Sequence, residues 1–98
     1  MEEKKQHIDM QVQADEQTLN GKYSTMAQVT HTAEEFWLDF FAILPNPNMA
    51  RLLARIIVSP GHAKRLGLAI MDNVSKYEAK YGTVDEAKTV VPTVGFKQ

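Results

Sequence analysis

Glu34-Glu35-Phe36-Trp37-Leu38-Asp39-Phe40-Phe41-Ala42-Ile43-Leu44 is the stretch on which the fold turns. Read as a helix, Thr32 and Glu35 form a capping box, and Phe36, Trp37, Phe40, Phe41 and Leu44 make one apolar stripe. Read as a strand, Phe36, Leu38, Phe40, Ala42 and Leu44 line one face. Trp37, Phe41 and Ile43 then line the other, with Asp39 among them. Aromatic content favours the strand; the cap and the two glutamates favour the helix. The pattern by itself leaves the two readings even.

Upstream, Ile8, Met10 and Val12 alternate with Asp9, Gln11 and Gln13, the period of a strand with one wet face. Asn20-Gly21 signals a turn, since both residues tolerate positive φ. Tyr23 to Thr32 is rich in β-branched and aromatic residues and predicts a second strand. Downstream, Pro45-Asn46-Pro47-Asn48 is a loop. Leu52 to Val58 predicts another strand, with Arg51 and Arg55 on the same face as Leu53 and Ile57. Ser59-Pro60 then opens a helix, because serine caps the free amides and proline at the first position loses no bond. Ala63, Leu66, Ile70, Val74, Tyr77 and Tyr81 recur at spacings of three and four, which predicts one buried stripe on a helix of about 22 residues ending at Gly82.

Three stretches resemble a family of short, functionally uncharacterised bacterial and archaeal proteins. They are Gly21-Lys22-Tyr23-Ser24 leading into Val29-Thr30-His31-Thr32; Glu35 to Phe40 ending at Leu44-Pro45; and Arg55 to Leu66, continued by Asn73 and Lys76-Tyr77-Glu78. The likeness covers about residues 8–82. It implies one domain in an intracellular setting and carries no activity or ligand. It also favours the strand for 35–44. The expectation is therefore an α+β fold: a four-stranded antiparallel sheet followed by one long C-terminal helix. A disordered segment at 1–7 precedes this domain of 8–82, and a flexible tail at 83–98 follows it.

Length and composition narrow the function classes. The 98 residues, 44% hydrophobic and 23% charged, suit one globular domain. So short a chain buries a modest share of its surface, which makes a partner subunit a natural second source of stability. A net charge of −1 argues against a generally cationic binder of nucleic acid or membrane. The charge is unevenly placed, however. Residues 1–49 carry three Lys against eight Asp or Glu, a net of −5, while residues 50–82 carry six Lys or Arg against two acids, a net of +4. No cysteine is present, so disulfides, thiolate zinc sites and a cysteine nucleophile are excluded. Met1 to Gln6 lacks an apolar core, and no segment reaches the roughly 20 apolar residues of a spanning helix. The expected setting is cytoplasmic, without membrane association.

Catalytic motifs are missing. His7, His31 and His62 have no metal-binding spacing. Ser59 near His62 is explained by capping, and neither a nucleophile elbow nor a phosphate loop occurs. Glu34, Glu35 and Asp39 read as a solvated turn and a paired aspartate. The chain is thus expected to be neither an enzyme nor the holder of a cofactor or metal. Asp39 among aromatics needs a cation, and Arg51 or Arg55 on the neighbouring strand is the obvious partner.

One helix covers one face of a sheet, so Trp37, Asp39, Phe41, Ile43, Leu53 and Ile57 are expected to form an oligomer interface on the other. Across that contact, Asp39 could meet Arg51 or Arg55 of the second copy. The leading expectation is a homo-oligomeric binding or scaffolding module. The runner-up is a binder of single-stranded nucleic acid through Arg51, Arg55, Lys64 and Arg65, with Trp37 and Phe41 as a stacking platform. The order of four strands then a helix, as in Whirly and Pur-alpha type proteins, is its fold-level analogy. A third reading is a chaperone-like binder of unfolded segments.

Overall fold

A computed structural model describes residues 8–86 and 94–96. The elements are α1 (Glu16–Asn20), β1 (Met26–His31), β2 (Phe36–Ile43), β3 (Ala50–Val58) and α2 (Pro60–Tyr81). The three strands form one antiparallel sheet in the order β1-β2-β3. The fold is α+β with a long C-terminal helix, and its sheet has three strands rather than the four expected. Residues 8–13 form neither strand nor helix, and Ile8, Met10 and Val12 are exposed. Alternation supplies a suitable face but no hydrogen-bonding neighbour, and a strand exists only by pairing. The described residues fall into two compact units. One contains Trp37–Ile56 with the chain up to Thr30; the other contains His31–Phe36 with the chain from Ile57 onward. The disordered segment expected at 1–7, and the parts of the expected tail at 87–93 and 97–98, lie outside the described residues.

The disputed stretch is a strand, and the residue that argued for a helix explains why. Thr32 Oγ1 accepts from the amides of Glu34 and Glu35 at 3.2 and 3.3 Å. The Thr32 amide donates to the Glu35 carbonyl at 2.9 Å. Threonine satisfies the first amides of a helix or of a tight turn by the same bonds, and here it closes the β1–β2 hairpin. His31 and Phe36 flank that turn, stacked with ring centroids 5.1 Å apart.

β1 starts at Met26, three residues later than its composition predicts. Before it, the Thr25 amide donates to the Phe41 carbonyl at 2.9 Å, and side chains add to this: Ser24 Oγ donates to the Phe41 carbonyl at 3.1 Å, and Thr25 Oγ1 accepts from the Ile43 amide at 3.0 Å. The short α1 is an element that the turn signals alone did not reveal. Asp15 caps it, accepting from the Thr18 amide at 2.7 Å, and hydrogen bonding to Thr18 holds the Asp15 carboxyl below its ordinary range. Between β2 and β3, the Pro45–Asn48 loop turns with Asn48 at φ 63°. That left-handed conformation is one asparagine tolerates better than most residues.

Helix α2 has the predicted bounds. Ser59 Oγ accepts from the His62 amide at 3.1 Å, Pro60 takes the first position, and Gly82 terminates the helix at φ 98°. Lys76 pairs with Asp72 at 3.0 Å one turn earlier, a mostly exposed pair of small energetic weight. The predicted burial is not found: no residue of α2 is buried. Ala63, Leu66 and Val74 are half-buried, while Ile70, Tyr77 and Tyr81 are exposed. No helix among the described residues is long and apolar enough to cross a membrane.

The cap at Ser59 gives a direct test. Ser59→Ala is expected to lower stability by about 1 kcal/mol in a urea melt, because one helical amide loses its acceptor.

Candidate functional site

The strands place one charged cluster at the most protected point of the chain. Along β2, Trp37, Asp39 and Phe41 share a face, and Asp39 and Phe41 are 2% and 3% exposed. In β1, Met26 and Gln28 are half-buried while Ala27 and Val29 are exposed, which puts the first two on the protected face. Arg55 of β3 reaches the carboxylate from the other side. Its Nε donates to Asp39 Oδ1 at 2.7 Å and its Nη2 to Oδ2 at 3.0 Å, a bidentate fork. The same guanidinium lies over Trp37, with Cζ 4.5 Å from the ring centroid. Asp39 holds the Arg55 proton more firmly than usual, raising its pKa mainly through this hydrogen bond. One buried polar atom nearby in sequence, Gln28 Oε1, has no hydrogen-bond partner among the described residues.

This geometry answers the question of the partner of Asp39. The bridge closes within one chain and through Arg55; Arg51 is exposed and shows no ion pair among the described residues. A carboxylate whose two oxygens both receive the fork of an arginine is a structural pair. Trp37 has one ring face covered by that guanidinium, and Phe41 is buried, so the pair does not form the open stacking platform sketched from sequence.

The remaining residues singled out by sequence separate accordingly. Of the six placed at an oligomer interface, Asp39 and Phe41 are buried within the chain, and Trp37 and Leu53 are half-buried. Ile43 and Ile57 are 59% and 51% exposed. Of the basic set, Arg55 is engaged with Asp39, while Arg51, Lys64 and Arg65 are exposed. His7 lies outside the described residues. Among the described residues, no group of three His, Asp or Glu side chains converges as a metal site would require.

The described residues also line hollows on the surface. One of about 320 Å³ is lined by α1 residues Gln17 and Thr18 together with Lys22, Phe40, Leu53 and Ala54. At its rim, Lys22 Nζ donates to the Leu53 carbonyl at 3.3 Å. Another, about 460 Å³ and strongly apolar, runs along α2 past Ile70, Val74 and Tyr77 to Val84. Val84 is held there by its amide, which donates to Glu78 at 2.8 Å. Periodicity marks the stripe that lines the second hollow, but no local pattern announces the first.

The two ends of the Asp39–Arg55 pair respond unequally to removal. Arg55→Ala strands a buried carboxylate, whereas Asp39→Asn leaves a guanidinium that can turn to water. Arg55→Ala is therefore expected to lower the urea midpoint more than Asp39→Asn, and to change the emission of Trp37, the single tryptophan. Phe41→Ala is expected to cost roughly 3–5 kcal/mol in the same melt, as for a buried phenylalanine.

No curated protein and no solved structure matches the chain. A family described as "Protein of unknown function (DUF3467)" matches residues 1–86. With nearly the whole chain matched, the chain belongs to that DUF3467 family.

Proposed function

We propose that this protein is a homo-oligomeric binding or scaffolding module that works without catalysis. The observation that carries the reading is α2. It is a 22-residue helix with an apolar stripe and no buried residue. On that stripe, Ile70, Tyr77 and Tyr81 are 54%, 52% and 64% exposed. An amphipathic helix in a folded domain is stabilised chiefly by burying such a stripe. Contiguous apolar surface of this kind marks an interaction site. A second copy presents the same stripe, so a two-fold contact is self-complementary. Exposed Ile43 and Ile57 supply further apolar area. The Asp39–Arg55 fork, being satisfied within the chain, acts in this reading as internal structure rather than as a contact.

Light scattering at micromolar concentration is expected to give a dimer or larger species. Ile70→Glu with Tyr77→Glu is expected to lower the oligomer mass while leaving the helical circular-dichroism signal in place. A monomeric wild type, or a double variant that stays fully associated, would contradict the reading. Co-purifying peptide released on denaturation, with a monomeric chain, would point instead to a chaperone-like binder. Salt-dependent retention of single-stranded oligonucleotide by a monomer would point to a nucleic-acid binder.

A further inference from the structure

Residues 8–13 have the strongest strand alternation in the N-terminal half and no strand partner among the described residues. Ile8, Met10 and Val12 are 68%, 77% and 88% exposed, so the segment keeps its entire apolar face in water. Among the described residues, the sheet meanwhile has no strand beyond β3. β3 is the last strand in the order β1-β2-β3, and its nine residues would accommodate all six of the segment. Its Leu53 carbonyl accepts from Lys22 Nζ at 3.3 Å. An unpaired edge of this kind is a template for strand addition.

We infer that residues 8–13 pair with the β3 edge of a second copy of this chain, supplying the fourth strand that one chain lacks. This deepens the homo-oligomeric reading and rests on it. Two independent complementarities select the occupant and the edge. Along β3, Leu52 and Ile56 share one face and are 40% and 49% exposed, while Arg51 shares the other face with Arg55. Along the arm, Ile8, Met10 and Val12 share one face and Asp9 the other. A single placement continues the Leu52–Ile56 apolar face with Ile8, Met10 and Val12. The same placement brings Asp9 to the face of Arg51, which has no ion pair among the described residues. Charge agrees at longer range: residues 8–20 carry Asp9, Asp15 and Glu16 with no base, and β3 carries two arginines with no acid. The β1 edge, six residues long with no basic residue other than His31, offers less on both counts.

Hydrogen exchange and thiol cross-linking test this on the full chain. In the associated wild type, the amides of Met10 and Val12, alternate residues of the arm, are expected to be protected, and to lose protection on dilution to monomer. Met10→Pro removes one strand donor and is expected to weaken association roughly tenfold, the loss of about one hydrogen bond. The chain has no native cysteine. Met10→Cys combined with Leu52→Cys or Ala54→Cys is therefore expected to give a covalent dimer on mild oxidation, and Met10→Cys with Val29→Cys to give none. An associated wild type whose arm exchanges like free peptide would overturn the arm while leaving the oligomer intact. Arm protection that persists in the monomer, or cross-linking to Val29→Cys alone, would overturn it equally. A wild type that is monomeric throughout would overturn both this inference and the reading beneath it.

Discussion

Everything ordered in the sheet depends on Asp39 having a partner. A carboxylate 2% exposed between Trp37 and Phe41 is tolerable only when its charge and both oxygens are met. Arg55 does this with two parallel bonds, and its guanidinium then covers the Trp37 ring. The pair ties the central strand to β3 through two parallel bonds between their side chains. A buried ion pair adds little net stability compared with well-packed apolar groups.

The same pair redirects the functional argument. An arginine that donates to a buried aspartate and stacks on a tryptophan is poorly placed to take a phosphate, and a buried Phe41 cannot receive a base. That sets Arg55 and Phe41 apart from Arg51, Lys64 and Arg65, which are exposed. Apolar surface, by contrast, is abundant outside the sheet's protected face. It lies along α2 and on the segment before α1, two places with opposite secondary-structure character. One calls for a helix or hydrophobic partner, the other for a strand edge. A second copy of the chain offers both, which is why self-association is the economical account.

Much of this was legible in the sequence, and the reasons differ from element to element. Ser59-Pro60 and Gly82 are local stereochemical signals, so α2 has its predicted bounds, and the β2–β3 loop follows from Pro45, Pro47 and the asparagines in the same way. Asp39 was recognisable as a charge needing a cation, because that cost is a property of the residue in an apolar pattern. Choosing between Arg51 and Arg55, or between a partner in the same chain and one in another, requires the register of two strands, which no local pattern contains. The face assignment suffered from the same limit. Alternation along β2 shows two apolar faces, and only the placement of β1 and Arg55 decides that the Trp37–Phe41 face is the protected one.

The sequence by itself determined the helix and its caps, the Pro45–Asn48 loop, the absence of thiol chemistry and the presence of two apolar faces on the aromatic stretch. Each rests on interactions within a few residues, or on residue chemistry alone. Only the tertiary structure decided that 36–43 is a strand, since a threonine at 32 caps a helix or a hairpin turn with equal ease. It also decided that Arg55 closes on Asp39, that residues 8–13 pair with no strand among the described residues, and that no residue of α2 is buried. Those outcomes depend on which distant backbone comes alongside, and hydrogen bonding between strands is a property of pairs of segments that neither segment encodes alone.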